Sequence, residues 1–379
     1  MQYRELGKTG INASILGFGA MRLPIEKIDD PTSIKEEEAI KIIRKAIDNG
    51  VNYIDSAYVY HRGRSEVVVG KALKDGYRKK VSIMTKNPVR MVETTEDYDK
   101  FLNEELERYG TEYIDVYLFH GLTKERYDDK VMKLGLIDRA KKAKADGKIK
   151  HIGFSSHDKP EKVKELIDEG IFEVILLQYN ILDTQYKEVI EYAAGKGIGV
   201  CVMGPVSGGR LALEPPNELE EALSPGKSNF VDLAFKFVWS NPNVSVALSG
   251  MGSEEMVDQN LALASSEKIT LTKDEETRAE KIGETYRKLS NLICTQCGYC
   301  MPCEQEVNIT QILKQLIHWE VYGWEQAKRF YNNIGKTPMS PGKNAEACIE
   351  CGDCEEKCPQ GIPIIEKLKE AHEKLAIDG

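Results

Sequence analysis

Eight cysteines stand in two short runs near the end of the sequence, and their spacing is that of metal ligands. The run CTQCGYCMPC is C-x2-C-x2-C-x2-C at Cys294, Cys297, Cys300 and Cys303. The run CIECGDCEEKCP is C-x2-C-x2-C-x3-C-P at Cys348, Cys351, Cys354 and Cys358. Three thiolates separated by two residues wrap one face of an iron–sulfur cube, and the last cysteine of a run projects elsewhere. Structural zinc needs only two C-x2-C pairs per tetrahedral ion, which leaves the triplets and the Cys-Pro unused. Cys201 stands apart in an apolar segment and reads as a buried hydrophobe.

The rest of the composition narrows the setting. The net charge of −9 and the lack of a basic patch argue against nucleic acid as a partner. No apolar run is long enough to span a bilayer, and the start MQYRELGKTG is polar, so a cytoplasmic protein with no membrane partner is expected. Disulfides are a poor use of thiols in that reducing compartment, which again points to metal. At 379 residues with 41% hydrophobic content, one large domain and a smaller one are expected.

Up to about Ser266, short β-branched runs alternate with amphipathic segments. NYIDS precedes SEVVVGKALKDG, VSIMTK precedes EDYDKFLNEELERYG, and IDVYLFH precedes LIDRAKKAKADG. KHIGFSS, EVILLQYN, IGVCVMG and VSVALSG continue the series, and SILGFGA opens it, making eight strand–helix units. Strands apolar throughout suit a parallel sheet buried on both faces. Eight units favour an α/β fold of the (β/α)8 TIM-barrel type over a doubly wound sheet, which periodicity alone leaves open. GFGAMR does not continue as G-x-G-x-x-G, which weakens the doubly wound option.

In such a barrel, functional side chains sit where strands end. Those points carry Asp55, Lys86, His120, Ser155, Ser156, Gln178 and Asn180, with Tyr58 and Tyr60 in the loop after Asp55. A Lys and an Asp at the inner rim are costly unless paired. Beside a tyrosine, the ammonium favours the phenolate and makes the phenol a better proton donor. That equips a site to protonate an oxygen as a hydride reaches the adjacent carbon.

From YRELGKTG to DQNLALA the chain resembles the aldo-keto reductases, most clearly in YIDSAYVYHRGRSEVVVGKAL, YIDVYLFHG, HIGFSS and LLQYN. The resemblance implies a catalytic tetrad of Asp55, Tyr60 (in place of Tyr58), Lys86 and His120. Tyr60 would be the general acid, Lys86 would lower its pKa while held by Asp55, and His120 would orient the carbonyl. It implies NAD or NADP as cofactor, with the nicotinamide amide held by Ser155, Ser156 and Gln178 and the ring against Met203, where many members have Tyr. Gly208 and Gly209 would admit the pyrophosphate, and Gly250, Gln259 and Asn260 would complete the nucleotide contacts. Many NADPH-preferring members carry Lys and Arg where this chain has Gly250 and Met256, so NADH and NADPH both stay open.

Thr272 to Asn291 reads as a charged helix linking the barrel to the tail. The expected division is thus 1–271 barrel, 272–290 linking helix and 291–379 cluster domain. The cysteine runs resemble two-cluster ferredoxins, in which the fourth cysteine of each run serves the other cluster. The resemblance implies one [4Fe–4S] cluster on Cys294, Cys297, Cys300 and Cys358, and a second on Cys348, Cys351, Cys354 and Cys303. The long intervening segment resembles the α-helical ferredoxin type, with Glu304 where a proline usually stands. Nicotinamide passes two electrons as hydride and a cluster takes one, so a flavin stays open as a further cofactor. The expected function is reduction of a small aldehyde or ketone, or oxidation of the alcohol. The clusters would link the site to a ferredoxin-like partner or stabilise the fold. The alternative is a non-catalytic electron-transfer or redox-sensing subunit whose barrel binds nucleotide.

Overall fold

The computed structural model describes residues 1–27, 30–290, 292–337 and 340–377. Its contacts divide it into two units: Met1–Pro205 with Phe235–Leu271, and Val206–Ala234 with Thr272–Gly379. The sequence division runs at 271, whereas the segment 206–234 makes its contacts within the second unit. Asn291, at the expected domain boundary, and residues 378 and 379 at the end of the tail lie outside the described residues.

The first unit is built on a closed barrel of eight parallel strands in sequential order. These are β1 (Leu16–Gly19), β2 (Tyr53–Asp55), β3 (Ser82–Asn87), β4 (Ile114–Phe119), β5 (Ile149–Ser155), β6 (Val174–Gln178), β7 (Gly199–Met203) and β8 (Val246–Ser249). The helices that follow them in turn are α1 (Glu36–Asp48), α2 (Arg64–Ala72), α3 (Thr95–Tyr109), α4 (Leu136–Ala145), α5 (Pro160–Asp168), α6 (Lys187–Gly195), α7 (Val231–Trp239) and α8 (Glu254–Ala264). Every residue of β4 and β6 is buried, as a parallel strand covered on both faces requires. The helix ends follow their local chemistry. A Thr94–Asp97 capping box starts α3, and Gly110 ends it at φ +63°, a backbone conformation that side chains with a Cβ disfavour.

The barrel interior is filled by Tyr53, Met84, Val116, Leu118, Val174, Leu176, Cys201, Val246 and Leu248. Leu6 and Ala13 join this core from a hairpin, Tyr3–Glu5 with Asn12–Ser14, which the periodicity reading does not anticipate. The hairpin lies at the strands' N-terminal ends: a Cβ on Gly199 would meet Leu6. Closing that end leaves the opposite rim for chemistry. Cys201 is fully buried, burial pushes its thiol up to about 12, and its nearest polar partner is Tyr53 at 3.7 Å. An inert core thiol results.

The second unit is mainly helical: α9 (Lys273–Leu289), α10 (Ile309–Tyr322), α11 (Gln326–Asn332), α12 (Asp353–Glu356) and α13 (Ile364–Leu375). A Thr272–Glu275 capping box starts α9. Leu313, Leu316 and Ile317 of α10 are buried and form part of this unit's core, while Trp319 is half-buried.

Candidate active site and cluster ligands

Successive residues of a strand face opposite sides, and β3 uses both. Lys86 points into the barrel and is 1% exposed. Its Nζ donates to an oxygen of Asp55 at the end of β2, to the Ser56 carbonyl at 2.6 Å and to the Tyr60 hydroxyl at 3.2 Å. An ammonium has three protons, and three acceptors face this one. Burial pushes the Asp55 carboxyl up, and Lys86 opposes that shift. A buried ion pair of this kind persists because each charge offsets the other's desolvation.

The neighbours of Lys86 on the outer face, Thr85 and Asn87, enter a second buried network. Thr85 Oγ1 donates to Glu66 at 2.6 Å, with Glu105 at 3.1 Å from the same hydroxyl. Tyr117 donates to Glu105 at 2.5 Å, and Arg108 to Glu66 at 2.9 Å. Burial, then the proximity of Glu66, raises the Glu105 carboxyl well above its ordinary value. Two buried carboxyls this close favour the protonated form more than a solvated pair does. Charge-pattern reading does not reveal this pair, because Glu66 and Glu105 belong to different helices that look solvent-facing in sequence.

Tyr60 and Tyr58 part ways here. The Tyr58 hydroxyl donates to Glu104 at 2.6 Å and its ring lies under the Arg108 guanidinium at 4.0 Å. Tyr60, not Tyr58, stands beside Lys86. His61 and Arg62, directly after Tyr60, both take left-handed backbone conformations at φ +49° and +52°. Such residues cost on the order of 1–3 kcal/mol each and need anchors. His61 supplies one, its Nδ1 donating to the Pro31 carbonyl at 2.7 Å.

His120 follows β4, and its backbone N–H extends the ladder to Asn87 O at 3.0 Å. Its ring and that of Tyr60 are edge-to-face, with centroids 6.1 Å apart. Burial lowers His120 well below its usual pKa, and Lys86, His157, Arg90 and Arg126 all add to the shift. The imidazole is therefore neutral at working pH, able to donate one hydrogen bond and accept another. Arg126 is tied to this corner by its bond to the Gly121 carbonyl, and burial takes His157 down to about 4. Arg90, Arg126 and His157 lie in three different loops, and only closure of the barrel brings them to one histidine.

The remaining rim residues are partly committed. Ser155 Oγ accepts the Gly121 N–H at 2.9 Å. Ser156 Oγ donates to the Leu122 carbonyl at 2.7 Å and accepts the Asp158 N–H at 3.1 Å, so it braces the β4 and β5 loops. Gln178 Nε2 donates to Asp183 at 2.7 Å, and Asn180 bonds the Gly204 carbonyl at 2.9 Å. Met203 pairs in register with Gln178 at the end of β7. Asn260 donates to Ser249 at 3.0 Å, while Gln259 is exposed. A Cβ on Gly250 would stand 3.1 Å from the Arg22 side chain, so glycine there makes room for an arginine from the β1 loop. A Cβ on Gly208 would meet the Thr295 carbonyl at 2.6 Å. Packing within the second unit therefore gives that glycine a structural reason of its own, beside the pyrophosphate approach expected from sequence. Space is open at Gly209.

These features have counterparts in known proteins. The sequence pattern described as the aldo/keto reductase family matches residues 15–284. The chain belongs to the aldo/keto reductase family. It is an oxidoreductase, and the family typically binds NAD(P). A 4Fe-4S dicluster domain matches residues 293–362. The reductase is 27% identical to an L-galactose dehydrogenase of Arabidopsis thaliana, over 74% of this chain and 93% of that one. It is 26% identical to the uncharacterised oxidoreductase YqkF of Bacillus subtilis, over 74% and 95%. Among solved structures it resembles the aldo-keto reductase AKR11C1 of Bacillus halodurans in its holo form. That match has a TM-score of 0.64 and 28% identity, covering 74% of this chain and 96% of the other.

The dicluster domain indicates 4Fe–4S clusters, and the reductase's thiols are arranged for them. Cys294, Cys297, Cys300 and Cys358 line one cavity of the second unit. Cys303, Cys348, Cys351 and Cys354 line another, with Cys300 also in its wall. Cys358 of the second run has thus crossed to the first run's cavity, and Cys303 to the second's. Among the described residues no three His, Cys, Asp or Glu side chains converge on a single ion. Ligands of a cube bind separate corners and stand further apart than ligands of one ion, so spread thiols suit it. Burial pushes Cys300 up to about 12 and Cys354 to about 11, and a coordinated metal deprotonates such thiols. Among the described residues no helix is long and apolar enough to cross a membrane.

Proposed function

We propose that this reductase converts a small aldehyde or ketone to the alcohol, or the reverse, with Tyr60 as general acid. The observation that carries the reading is Lys86, buried between Asp55, the Ser56 carbonyl and the Tyr60 hydroxyl. When bound, NAD(P)H would supply the hydride for the carbonyl carbon. Tyr60 gives its proton to the carbonyl oxygen, and the ammonium of Lys86 stabilises the phenolate left behind. Asp55 keeps that ammonium in place and charged. Neutral His120 donates a hydrogen bond to the same oxygen and fixes the carbonyl's orientation. Ser155 and Gln178 at the ends of β5 and β6 suit the nicotinamide amide, and Met203 offers a ring contact. The aliphatic stem of Arg22 packs against Gly250, and both NADPH and NADH are open as the hydride donor.

Tyr60→Phe removes the proton and keeps the ring. Anaerobic assays with NADPH, NADH and simple aldehydes are expected to show turnover abolished while nucleotide binding persists. Undiminished turnover in that variant rejects the reading.

Two [4Fe–4S] clusters are proposed on the cysteine sets named above, serving electron exchange with a ferredoxin-like partner in the cytoplasm. Iron and sulfide analysis with EPR, with and without each nucleotide, tests that assignment and whether a flavin is also required.

A further inference from the structure

Arg210 lies in the second unit, in the segment that follows β7, and is 8% exposed. Its Nη2 donates to the Leu292 carbonyl at 2.8 Å, two residues before Cys294. The Tyr322 hydroxyl donates to the Arg210 carbonyl at 3.4 Å, and the Tyr286 hydroxyl lies 3.4 Å from that of Tyr322. The contact of Gly208 with the Thr295 backbone anchors the same segment to the first cysteine run. Arg210 is therefore held, not draped.

Burying a guanidinium without an anion costs several kcal/mol. The groups that act on its charge are Tyr322, Tyr286 and Cys294, and none is a carboxylate. Burial pushes both tyrosines up, so they stay neutral phenols. Cys294, two residues beyond the Leu292 carbonyl that Arg210 holds, is the one of the three that binding iron would make a thiolate.

We infer that Arg210 is the built-in counter-ion of the cluster held by Cys294, and that it keeps this cluster easier to reduce than its neighbour. The inference rests on the ligand sets proposed above. A cube with four thiolates is already anionic, and each added electron increases that charge. A fixed cation in a low-dielectric setting therefore favours the reduced form. The other cavity has mixed charges that largely offset one another, with Glu304, Asp353 and Lys357 in its wall and Lys369 acting on Cys348. An electron entering the pair settles on the cluster beside Arg210.

The test is an EPR-monitored redox titration of the anaerobically purified full chain, compared with Arg210→Gln and Arg210→Lys. In R210Q one midpoint is expected to fall by at least a tenfold change in the one-electron equilibrium constant, about 59 mV. The other midpoint should stay in place, and R210K should resemble the parent. Loss of one cluster's iron in R210Q but not in R210K also supports a counter-ion. Unchanged midpoints in fully loaded R210Q overturn the inference, as does equal iron loss in R210Q and R210K, which would mean that shape matters and charge does not. A parent chain that assembles no cluster rejects the ligand sets themselves, a different failure with a different signature.

Discussion

Replacing Lys86 by methionine removes the ammonium and keeps most of the side chain's volume. Nζ stands 3.2 Å from the Tyr60 oxygen. Two unit charges that far apart interact by about 5 kcal/mol at an effective dielectric of 20. Asp55, on the same ammonium, cancels part of this for a phenolate at position 60. A net loss of about 3–5 kcal/mol is left, or a fall in kcat/KM of roughly 10²–10⁴-fold. Stability shifts for a separate reason. K86M strands Asp55, which is 4% exposed, as a lone buried acid, at a cost of about 3–5 kcal/mol. The K86M/D55N double variant removes both charges and is expected to recover most of the stability and none of the activity. Aldehyde-dependent NADPH and NADH oxidation gives the first quantity, and urea unfolding the second. If K86M stays within tenfold of the parent, or the double variant regains activity along with stability, the phenolate argument is wrong.

Further outcomes follow from the same geometry. The raised Glu105 carboxyl keeps a proton when folded that the unfolded chain releases above its ordinary value of 4.5, so stability falls as pH rises from there through the folded value. E105Q removes that loss, and its urea midpoint should change less than the parent's between about pH 5 and 9; equal slopes would contradict the raised carboxyl. Cys297→Ser combined with Cys358→Ser should lose no more iron than either alone, because both line one cavity, whereas Cys351→Ser with Cys358→Ser should lose both clusters. Gly208→Ala forces a Cβ onto the Thr295 backbone at φ +67°, a strain of about 1–3 kcal/mol that should speed iron loss to a chelator; an unchanged rate rules it out.

The eight strand–helix units and the two cysteine runs were readable in the chain, as was the place of Asp55, Lys86 and His120 at strand ends with Tyr60 in the loop after Asp55. Strands and helices announce themselves because burial repeats with a local period, and cluster ligands because one cube face requires a fixed spacing along the backbone. Neither rule depends on distant residues. What depended on them was decided by the tertiary structure. Tyr58 and Tyr60 differ in their partners because Glu104 and Arg108 on α3 take one and Lys86 on β3 takes the other. Gly208 has the Thr295 backbone, far along the chain, close against it, which its sequence neighbours do not reveal. Arg210 carries no local mark at all, since a cation's value depends on which charges face it. Glu66 and Glu105 meet only because two helices press them against Thr85. Periodicity and ligand spacing act over a few residues and survive in one dimension; desolvation and charge pairing act across space, and folding alone decides which groups meet.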